Sequence, residues 1–483
     1  MSKVDTAWLR MEQPTNLMMI NGIIIMDEQL DYEALLKTIE QRFLAFRRFR
    51  QRAVDRTRGA YWELDEDFDI RWHVRRTALP GKADREELEL LVSDLASTAL
   101  DHSRPLWQMH VVENYVEGPV LVSRIHHCIA DGIALVQLFL SLTDPTPEGR
   151  PAARKPEIWK QRRAKESMVF QRLIEPARDG LDFATHLGQQ MIEEGSRILQ
   201  DPSIASHYAQ EVTEIVRELV HSLTLENDPE TRLKGRLGSR KQAAWAEPLP
   251  LDEVKAVSKA FGCTVNDVLI AAATGALRQY LLDEGDEPSA LQDIRATVPV
   301  NLRPLEHAEE LGNHFGLVFL SLPLGVDNPL ERLYMVNDRM NELKSSKQAT
   351  VTLGFLAALG MGPSVLQKPV LDLLSQKATT VLTNVPGPQQ PLYLAGSKIR
   401  EMMFWVPQNG SVGLGISILS YNHKVFFGLI SDRRLVPEPA RIISRFKAEF
   451  EKLLYLGLML PLDGRPNVAT ADKLLEHCLE PGE

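Results

Sequence analysis

Apolar residues in the first half of the chain switch between short continuous runs and helical spacings. Residues 17–26 (LMMINGIIIM) form one such run, which predicts a buried strand. Leu35, Leu36, Ile39 and Phe43 then share one helical stripe, so a helix is predicted over 31–46. Further strands are predicted at 60–64, 70–77, 106–113 and 119–126, and helices at 84–99 and 131–142.

The pattern changes twice in the remainder of the chain. Turn-forming residues at 144–151 end the first half, and helical spacing then dominates from about 158 to 223. Mixed patterns return near Arg240, with strands predicted at 295–300, 316–322, 379–383, 412–420 and 425–430, and helices at 264–282, 329–343 and 438–454. We therefore predict an α/β protein with two mixed halves, 1–145 and 239–465, a helical connector at 146–238, and a tail at 466–483.

Composition and charge exclude several classes of protein. The chain has 483 residues, 44% hydrophobic and 25% charged, which is typical of a soluble globular protein with two domains. Its formal net charge of −10 argues against a nucleic-acid partner. Two basic stretches, 47–58 and 154–165, are predicted to be solvated surface or else to meet a phosphate-bearing ligand or an anionic lipid surface.

Cysteines and apolar runs bear on location. Cys128, Cys263 and Cys478 are too widely spaced for a metal motif or a disulfide framework, which favours a reducing compartment. No signal peptide is predicted at the start of the sequence. The uncharged apolar run closest to the length of a membrane span, 351–367, is broken by glycines and a proline, and we expect part of it to line a lipid entrance or touch a membrane, with core packing as the alternative. The expected location is cytoplasmic, with peripheral contact to the inner membrane or to lipid inclusions.

The segment His126-His127-Cys128-Ile129-Ala130-Asp131-Gly132 contains the main candidates for chemistry. It follows a predicted strand and precedes a predicted helix. Side chains alternate along a strand, so His126 and His127 are expected to point in opposite directions. Histidine suits general base catalysis near neutral pH. Asp131 can fold back across the turn, and Gly132 allows close passage of the backbone or a positive φ. A structural alternative stays open, in which Asp131 caps the helix and both histidines are half-buried sheet residues.

Together with other motifs, this segment resembles the bacterial wax ester synthase/diacylglycerol acyltransferase family. HHxxxDG alone marks a superfamily that includes peptide condensation domains. The further motifs occur in family order, and they are Asp5-Thr-Ala-Trp-Leu9, Pro105-Leu106-Trp107, Asn266-Asp267-Val268-Leu269, Pro299-Val300-Asn301-Leu302-Arg303, Gly312-Asn313-His314-Phe315-Gly316 and Asn384-Val385-Pro386-Gly387-Pro388. Many members carry Pro-Met-His near the start, where this chain has Pro14-Thr15-Asn16, a departure that bears on substrate preference.

The resemblance implies two chloramphenicol-acetyltransferase-like domains with a substrate tunnel between them. It also implies that His127 is the general base, which takes the proton from a fatty alcohol or diacylglycerol so that the oxygen attacks acyl-CoA. His126 is then a supporting residue, Gly132 a turn residue, and Asp131 a structural residue that pairs with an arginine, for which Arg303 is the candidate. Acyl-CoA is expected as a substrate, with no cofactor and no metal.

The remaining motifs have simple structural readings. Pro105, Leu106 and Trp107 precede a strand, and we expect the tryptophan to lie in the core. Thr264 and Asp267 have the spacing of a capping box. Asn266 is left over, and its amide is a candidate donor to an oxyanion.

Two later motifs are read as structural as well. Asn384, Pro386 and Gly387 are expected to form a rigid turn after a strand. His314 is expected to be a structural histidine rather than a second base.

Two alternative functions stay open at this level. The same fold acts on other acceptors, such as an amine or a polyketide hydroxyl. A non-catalytic protein that binds lipid or coats lipid bodies is the second alternative. Such a coat has no need for a base, so the presence of His127 and Asp131 argues for an enzyme that makes storage esters.

Overall fold

The computed structural model describes residues 1–56, 59–149, 225–301, 315–346, 352, 375–408, 410–459 and 468–479. The predicted helical connector, the second basic stretch, Arg303, His314 and all of 351–367 except Thr352 lie outside these residues. Predictions about them stay predictions, as do the domain boundaries.

One mixed sheet of seven strands organises the first half. In spatial order its strands are β4 (Val74–Thr77), β5 (Trp107–Val112), β6 (Val120–His126), β1 (Met19–Met26), β14 (Ser397–Trp405), β13 (Tyr393–Leu394) and β7 (Thr143–Asp144). Every residue of β1 is buried, as its apolar run predicts, and β5 and β6 are buried although they include polar residues such as Gln108 and Arg124. Both faces of these strands are therefore covered.

Helices and one hairpin surround this sheet. The helices are α1 (Lys3–Met11), α2 (Tyr32–Thr38), α3 (Ile70–His73), α4 (Arg85–Ser97) and α5 (Gly132–Leu142), and the hairpin is β2 (Gln51–Arg56) with β3 (Gly59–Leu64). Ser2 caps α1, and Asp84 forms a capping box with Glu87 at the start of α4. These polar caps satisfy backbone N–H groups that a helix leaves unpaired at its first turn.

A second mixed sheet organises the other half. Its order is β11 (Phe315–Leu322), β10 (Ile294–Asn301), β12 (Thr380–Pro386), β15 (Leu414–Tyr421), β16 (Lys424–Asp432) and β8 (Lys241–Trp245), and β9 (Leu249–Pro250) also pairs with β16. The helices are α6 (Leu251–Ala260), α7 (Val265–Asp283), α8 (Pro329–Ser345), α9 (Pro439–Met459) and α10 (Val468–Leu479). Helix α7 is buried along most of its length and packs against α6, α8 and α9.

The two halves share strands as well as contacts. β14 comes from the second half of the chain, yet it pairs antiparallel with β1, with Ile23 opposite Met403. Ser417 on β15 donates a hydrogen bond to the carbonyl of Phe404 on β14. The first sheet is therefore completed by residues nearly 400 positions from its first strand, which the predicted division of the chain did not include.

Three local predictions were wrong in part. The strand predicted over 70–77 begins only at Val74, because Asp69 caps a short helix at Ile70–His73. The helix predicted over 31–46 is regular only to Thr38 and continues as a π-helical turn, Ile39–Phe43. The turn predicted at 384–388 is strand as far as Pro386, since Asn384–Pro386 pair in parallel with Ile418–Ser420.

Candidate active site

His127 lies in a tight turn between β6 and α5. Its backbone N–H donates to the carbonyl of Met18 at 2.7 Å, so the turn stays attached to the edge of β1. The N–H of Ile129 returns to the carbonyl of His126 at 3.0 Å. Asp131 then caps α5, because its Oδ1 accepts the N–H of Ala134 at 2.7 Å. The predicted strand, turn and helix are all present, and Asp131 is buried as well as capping.

The two histidines have different surroundings. His126 is fully buried, its Nδ1 accepts the N–H of Cys128 at 3.1 Å, and its Nε2 lies 2.8 Å from Glu12 Oε2. The ring of His127 stacks on the indole of Trp8. Because β6 ends at His126, the alternation expected of a strand does not extend to His127. Both rings instead meet α1 and the residue that follows it.

Arg48 binds the backbone of Ile129, two residues after His127 in the turn. Its Nη1 donates to the carbonyl of Ile129 at 2.7 Å, and its Nη2 lies 3.3 Å from Oδ2 of the buried Asp5. The guanidinium also covers the Trp62 ring at 5.5 Å. An arginine held by this many partners has little freedom to move. One member of the basic stretch at 47–58 therefore supports the turn.

The other described arginines of that stretch divide into two groups. Arg52 and Arg56 both lie near Glu63, at 3.8 and 2.5 Å, whereas Arg47 and Arg50 have exposed side chains. Arg56 is exposed as well, so a phosphate or lipid contact by this stretch stays a prediction.

The charges around His126 depend on the carboxylate of Glu12. Burial raises the pKa of Glu12, but hydrogen bonds with His102 and His126 outweigh burial and lower that pKa to about 2. The same carboxylate raises the pKa of His102, whose Nε2 lies 3.2 Å from Oε1. Burial lowers the pKa of His126. Glu12 is therefore an ionised carboxylate between an exposed histidine and a buried neutral one.

Cys128 is a buried thiol next to the candidate base. Burial raises its pKa well above the usual value, and the carboxylates of Asp5 and Glu12 raise it further. A thiol must ionise to act as a strong nucleophile. The environment of Cys128 opposes that ionisation.

Asn266 and Asn384 are brought together from the two ends of the second half. Asn384 Nδ2 donates to Asn266 Oδ1 at 2.7 Å, and both side chains are half-buried. Asp267 forms the capping box with Thr264, its Oδ2 accepting the Thr264 N–H at 2.8 Å. Asn337 donates to the same oxygen. Asp267 is therefore engaged in the capping box and in the hydrogen bond with Asn337. The hydrogen bond from Asn384 fixes the orientation of the Asn266 side-chain amide.

Comparison with known proteins assigns the chain to a family. The model of the wax ester synthase/diacylglycerol acyltransferase catalytic domain matches residues 1–269, and the model of the C-terminal domain of that family matches residues 311–454. The chain belongs to the wax ester synthase/diacylglycerol acyltransferase family. It is accordingly an acyltransferase.

Relatives within the family align over most of the chain. A putative diacylglycerol O-acyltransferase of Mycobacterium tuberculosis H37Rv is 31% identical over 404 residues, which cover 81% of this chain and 83% of the relative. A probable diacylglycerol O-acyltransferase of the same organism is 28% identical over 440 residues, covering 88% of this chain and 89% of the relative.

Solved structures confirm the fold predicted from the resemblance. The wax ester synthase/diacylglycerol acyltransferase from Marinobacter aquaeolei VT8 superposes with a TM-score of 0.63 at 23% identity, covering 94% of this chain and 98% of that one. The starter condensation domain of rhizomide synthetase gives a TM-score of 0.57 at 13% identity, covering 97% and 96%. The fold is the two-domain α/β fold of the chloramphenicol-acetyltransferase type.

Other family motifs serve the core. Pro105, Leu106 and Trp107 are buried, and the indole N–H of Trp107 donates to the carbonyl of Phe49 at 2.9 Å. The ring of Trp107 stacks on His73 with 4.4 Å between centroids. These contacts match the structural reading of the motif.

Gly132 and Gly387 differ in whether the surrounding backbone requires a glycine. Gly132 is the first residue of α5 and has no positive φ, so that expectation was wrong, and an added Cβ would make an ordinary 3.5 Å contact with Val406. At Gly387 a Cβ would lie 2.3 Å from the carbonyl of Ser420, which excludes any side chain there. Gly387 is thus required where the chain leaves β12.

Four residues around the turn at 126–131 were not identified as site residues from the sequence. They are Asp5, Trp8, Glu12 and Arg48. The similarity of Asp5-Thr-Ala-Trp-Leu9 to family members was the available signal, and Asp5, Trp8 and Glu12 do have the spacing of one helix face.

No group of three or more His, Cys, Asp or Glu side chains among the described residues could hold a metal ion. No single helix among them is long and apolar enough to cross a membrane, although the α6–α7 pair, bent by 99°, satisfies length and composition together.

Proposed function

We propose that the protein transfers a fatty acyl group from acyl-CoA to a long-chain alcohol or diacylglycerol, with His127 as the general base. The observation that carries this is the position of His127 in a turn whose backbone bonds to Met18 and Arg48 and whose histidine ring stacks on Trp8 of α1. Such preorganisation is what a base needs if it is to meet a hydroxyl within hydrogen-bond distance. A coat protein would gain nothing from it.

The proposed reaction has one base and one tetrahedral intermediate. A ring nitrogen of His127 takes the hydroxyl proton as the oxygen attacks the thioester carbonyl. The carbon–sulfur bond then breaks, and the imidazolium returns its proton to the departing CoA thiolate. Products are the ester and free CoA, so protons and electrons balance without any cofactor, and we propose that none is needed.

We propose Asn266 as the donor to the oxyanion. Asn384 engages Oδ1 of Asn266, which leaves the Nδ2 group of Asn266 as the end able to donate. One such donor contributes about 10²–10³-fold to kcat in acyl transfer. The two motifs that contain these asparagines then form one functional unit.

The test is an acceptor panel with matched histidine variants. We expect wild-type protein to release CoA from palmitoyl-CoA with hexadecanol or dioctanoylglycerol, and much less with a long-chain amine or no acceptor. His127→Ala should lose roughly 10²–10⁴-fold in kcat. His423→Asn is the control, because His423 lies in an exposed turn at φ 62°, a conformation that asparagine tolerates. A folded His127→Ala protein that keeps more than about a tenth of kcat would overturn the base assignment.

We also propose peripheral contact with a membrane or a lipid inclusion. Tyr455, Leu458 and Met459 form an exposed apolar stripe at the end of α9, with exposed fractions of 55%, 75% and 51%. Exposed apolar side chains of this kind bind lipid surfaces, which is where lipid substrates are found. Leu458→Asp should weaken sedimentation with lipid vesicles, whereas Leu90→Asp, at the exposed Leu90 of α4, should not. Equal binding by both variants would remove this stripe as the contact.

A further inference from the structure

Helix α1 and the residue after it support three parts of the turn at 126–131, two by direct contact and one through Arg48. Asp5 reaches Ile129 through Arg48, Trp8 stacks on His127, and Glu12 lies against His126. Asp5, Trp8 and Glu12 follow one another at helical intervals, so one face supplies all three contacts. The turn therefore depends on a segment more than 110 residues earlier in the chain.

The Glu12 contact has a specific chemical consequence. A neutral imidazole has one N–H and one acceptor nitrogen. Because His126 Nδ1 accepts the N–H of Cys128, the proton belongs on Nε2, which lies 2.8 Å from Glu12 Oε2. Glu12 and the Cys128 N–H thus favour the same tautomer of the same ring.

Because His126 is buried, its ring orientation and tautomer depend on the contact with Glu12. His126 is fully buried, so without Glu12 its Nε2–H would lose the carboxylate that faces it. A buried polar group without a partner is costly enough to favour ring rotation or the other tautomer. Either change would put an N–H or a carbon in front of the Cys128 N–H and would release the turn beside His127.

We infer that Glu12 is a positioning residue for His127, acting through the tautomer of His126 and the backbone N–H of Cys128. The inference rests on the proposed role of His127 as base. It assigns a purpose to the first histidine of the pair: its ring joins α1 to the backbone of the turn. Glu12 itself touches no reacting atom.

The first test compares two substitutions at Glu12. Glu12→Gln keeps an oxygen that can accept from Nε2–H, so kcat should stay within about fivefold of wild type. Glu12→Ala removes the acceptor, and misplacement of His127 should lower kcat roughly 10- to 100-fold with a much smaller change in KM. Arg10→Ala is the control on the same helix, because Arg10 pairs with Asp55 of the hairpin, away from the turn, and its loss should leave kcat unchanged.

The second test repeats Glu12→Ala in a His126→Asn background. Asparagine places an oxygen near the position of Nδ1 and can accept the Cys128 N–H, but it has no tautomers. Glu12→Ala should therefore cost less than about twofold in that background. An equal loss in both backgrounds, or a wild-type kcat for Glu12→Ala, overturns the inference.

Nitrogen NMR of labelled His126 separates this inference from the base assignment and remains available if His126→Asn does not fold. Wild type and Glu12→Gln should show the Nε2–H tautomer alone, and Glu12→Ala a mixture with the Nδ1–H form or a rotated ring. If His127→Ala stays active while this tautomer result holds, the base assignment fails and the control of His126 by Glu12 stands. An unchanged single tautomer in Glu12→Ala sinks the inference whatever His127 does.

Discussion

The indole of Trp8 lies almost flat against the imidazole of His127, with 4.0 Å between ring centroids and 18° between ring planes. Trp8 is itself 6% exposed, so it cannot easily move aside. A stacked aromatic neighbour restricts rotation of the imidazole and excludes water from that face. The direction in which His127 presents its nitrogens is thus set by α1 as well as by the turn.

Replacement of Trp8 should separate stacking from bulk packing. Trp8→Phe keeps an aromatic face and should retain most of kcat, whereas Trp8→Leu fills space without a flat ring and should lose roughly 10- to 100-fold in kcat. Thermal unfolding of both variants supplies the control, since both lose volume in the same core. Equal kcat values for the two would show that only volume matters at this position.

Asp131 should contribute more to stability than its cap alone. Asparagine is also a good N-cap, so Asp131→Asn preserves the bond to the Ala134 N–H. If the predicted pair with Arg303 forms, the neutral variant still leaves a buried cation and should lose about 3–5 kcal/mol in denaturant unfolding. A variant as stable as wild type would leave Asp131 with the capping role only.

Arg303 supplies the matched measurement for that pair. Arg303→Gln should destabilise by a similar amount, and the double variant with Asp131→Asn should lose less than the sum of the two. Strict additivity in this cycle would exclude a direct pair and require another explanation for a loss at Asp131.

The pair formed by His102 and Glu12 predicts a pH-dependent stability. Its hydrogen bond with Glu12 raises the pKa of His102 in the folded state. The stabilisation is therefore fully present below the unfolded pKa of about 6.5 and is lost as pH rises through the raised folded pKa. The melting temperature of wild type minus that of His102→Gln should be largest between about pH 4.5 and 6.5, where Glu12 is ionised and His102 is protonated in the folded protein, and should shrink toward pH 9.

Subtraction in that experiment removes the opposite effect of other histidines. Burial lowers the pKa of His126, and it lowers the pKa of His73 and His110 to about 4, so each of these favours unfolding as pH falls below about 6.5. Both proteins contain these three residues. A melting difference that does not change with pH would mean that His102 gains nothing from Glu12.

The sequence predicted those elements whose signals, an apolar run or a capping residue, lie within a short stretch of chain. β1 is buried along its whole length and stands out as an apolar run, and Thr264 marks the start of α7 through its capping-box spacing with Asp267. These signals are local, so they survive without knowledge of the partner. The short run 70–77 failed because four residues of it are a single helical turn, which is too short for a period to distinguish.

Contacts between distant segments could not be predicted in the same way. Nothing local in Glu12 indicates that it will meet His126, and nothing in β14 indicates that it will pair with β1 rather than with its own half. The histidine pair was visible because its residue types suggest chemistry. Its supports were not, because a tryptophan, a glutamate and an arginine are common on any amphipathic surface.

Cys128 provides the last prediction, because a thiol beside the base invites a covalent mechanism. In that mechanism the thiol would take the acyl group from CoA and pass it to the alcohol. The structure opposes this, since Cys128 is fully buried and its pKa is raised well above the usual value by burial and by the carboxylates of Asp5 and Glu12. Transfer from one thioester to another also gains no driving force.

We therefore expect Cys128→Ala to remain active and both substrates to bind before either product leaves. Initial rates measured while both substrates are varied should give intersecting lines in double-reciprocal form. Cys128→Ala should give the same pattern, with kcat lowered only by the small loss of packing at a buried site. Parallel lines, together with a labelled acyl group that is trapped on the wild-type protein and absent from Cys128→Ala, would instead make Cys128 the nucleophile and reduce His127 to its activator.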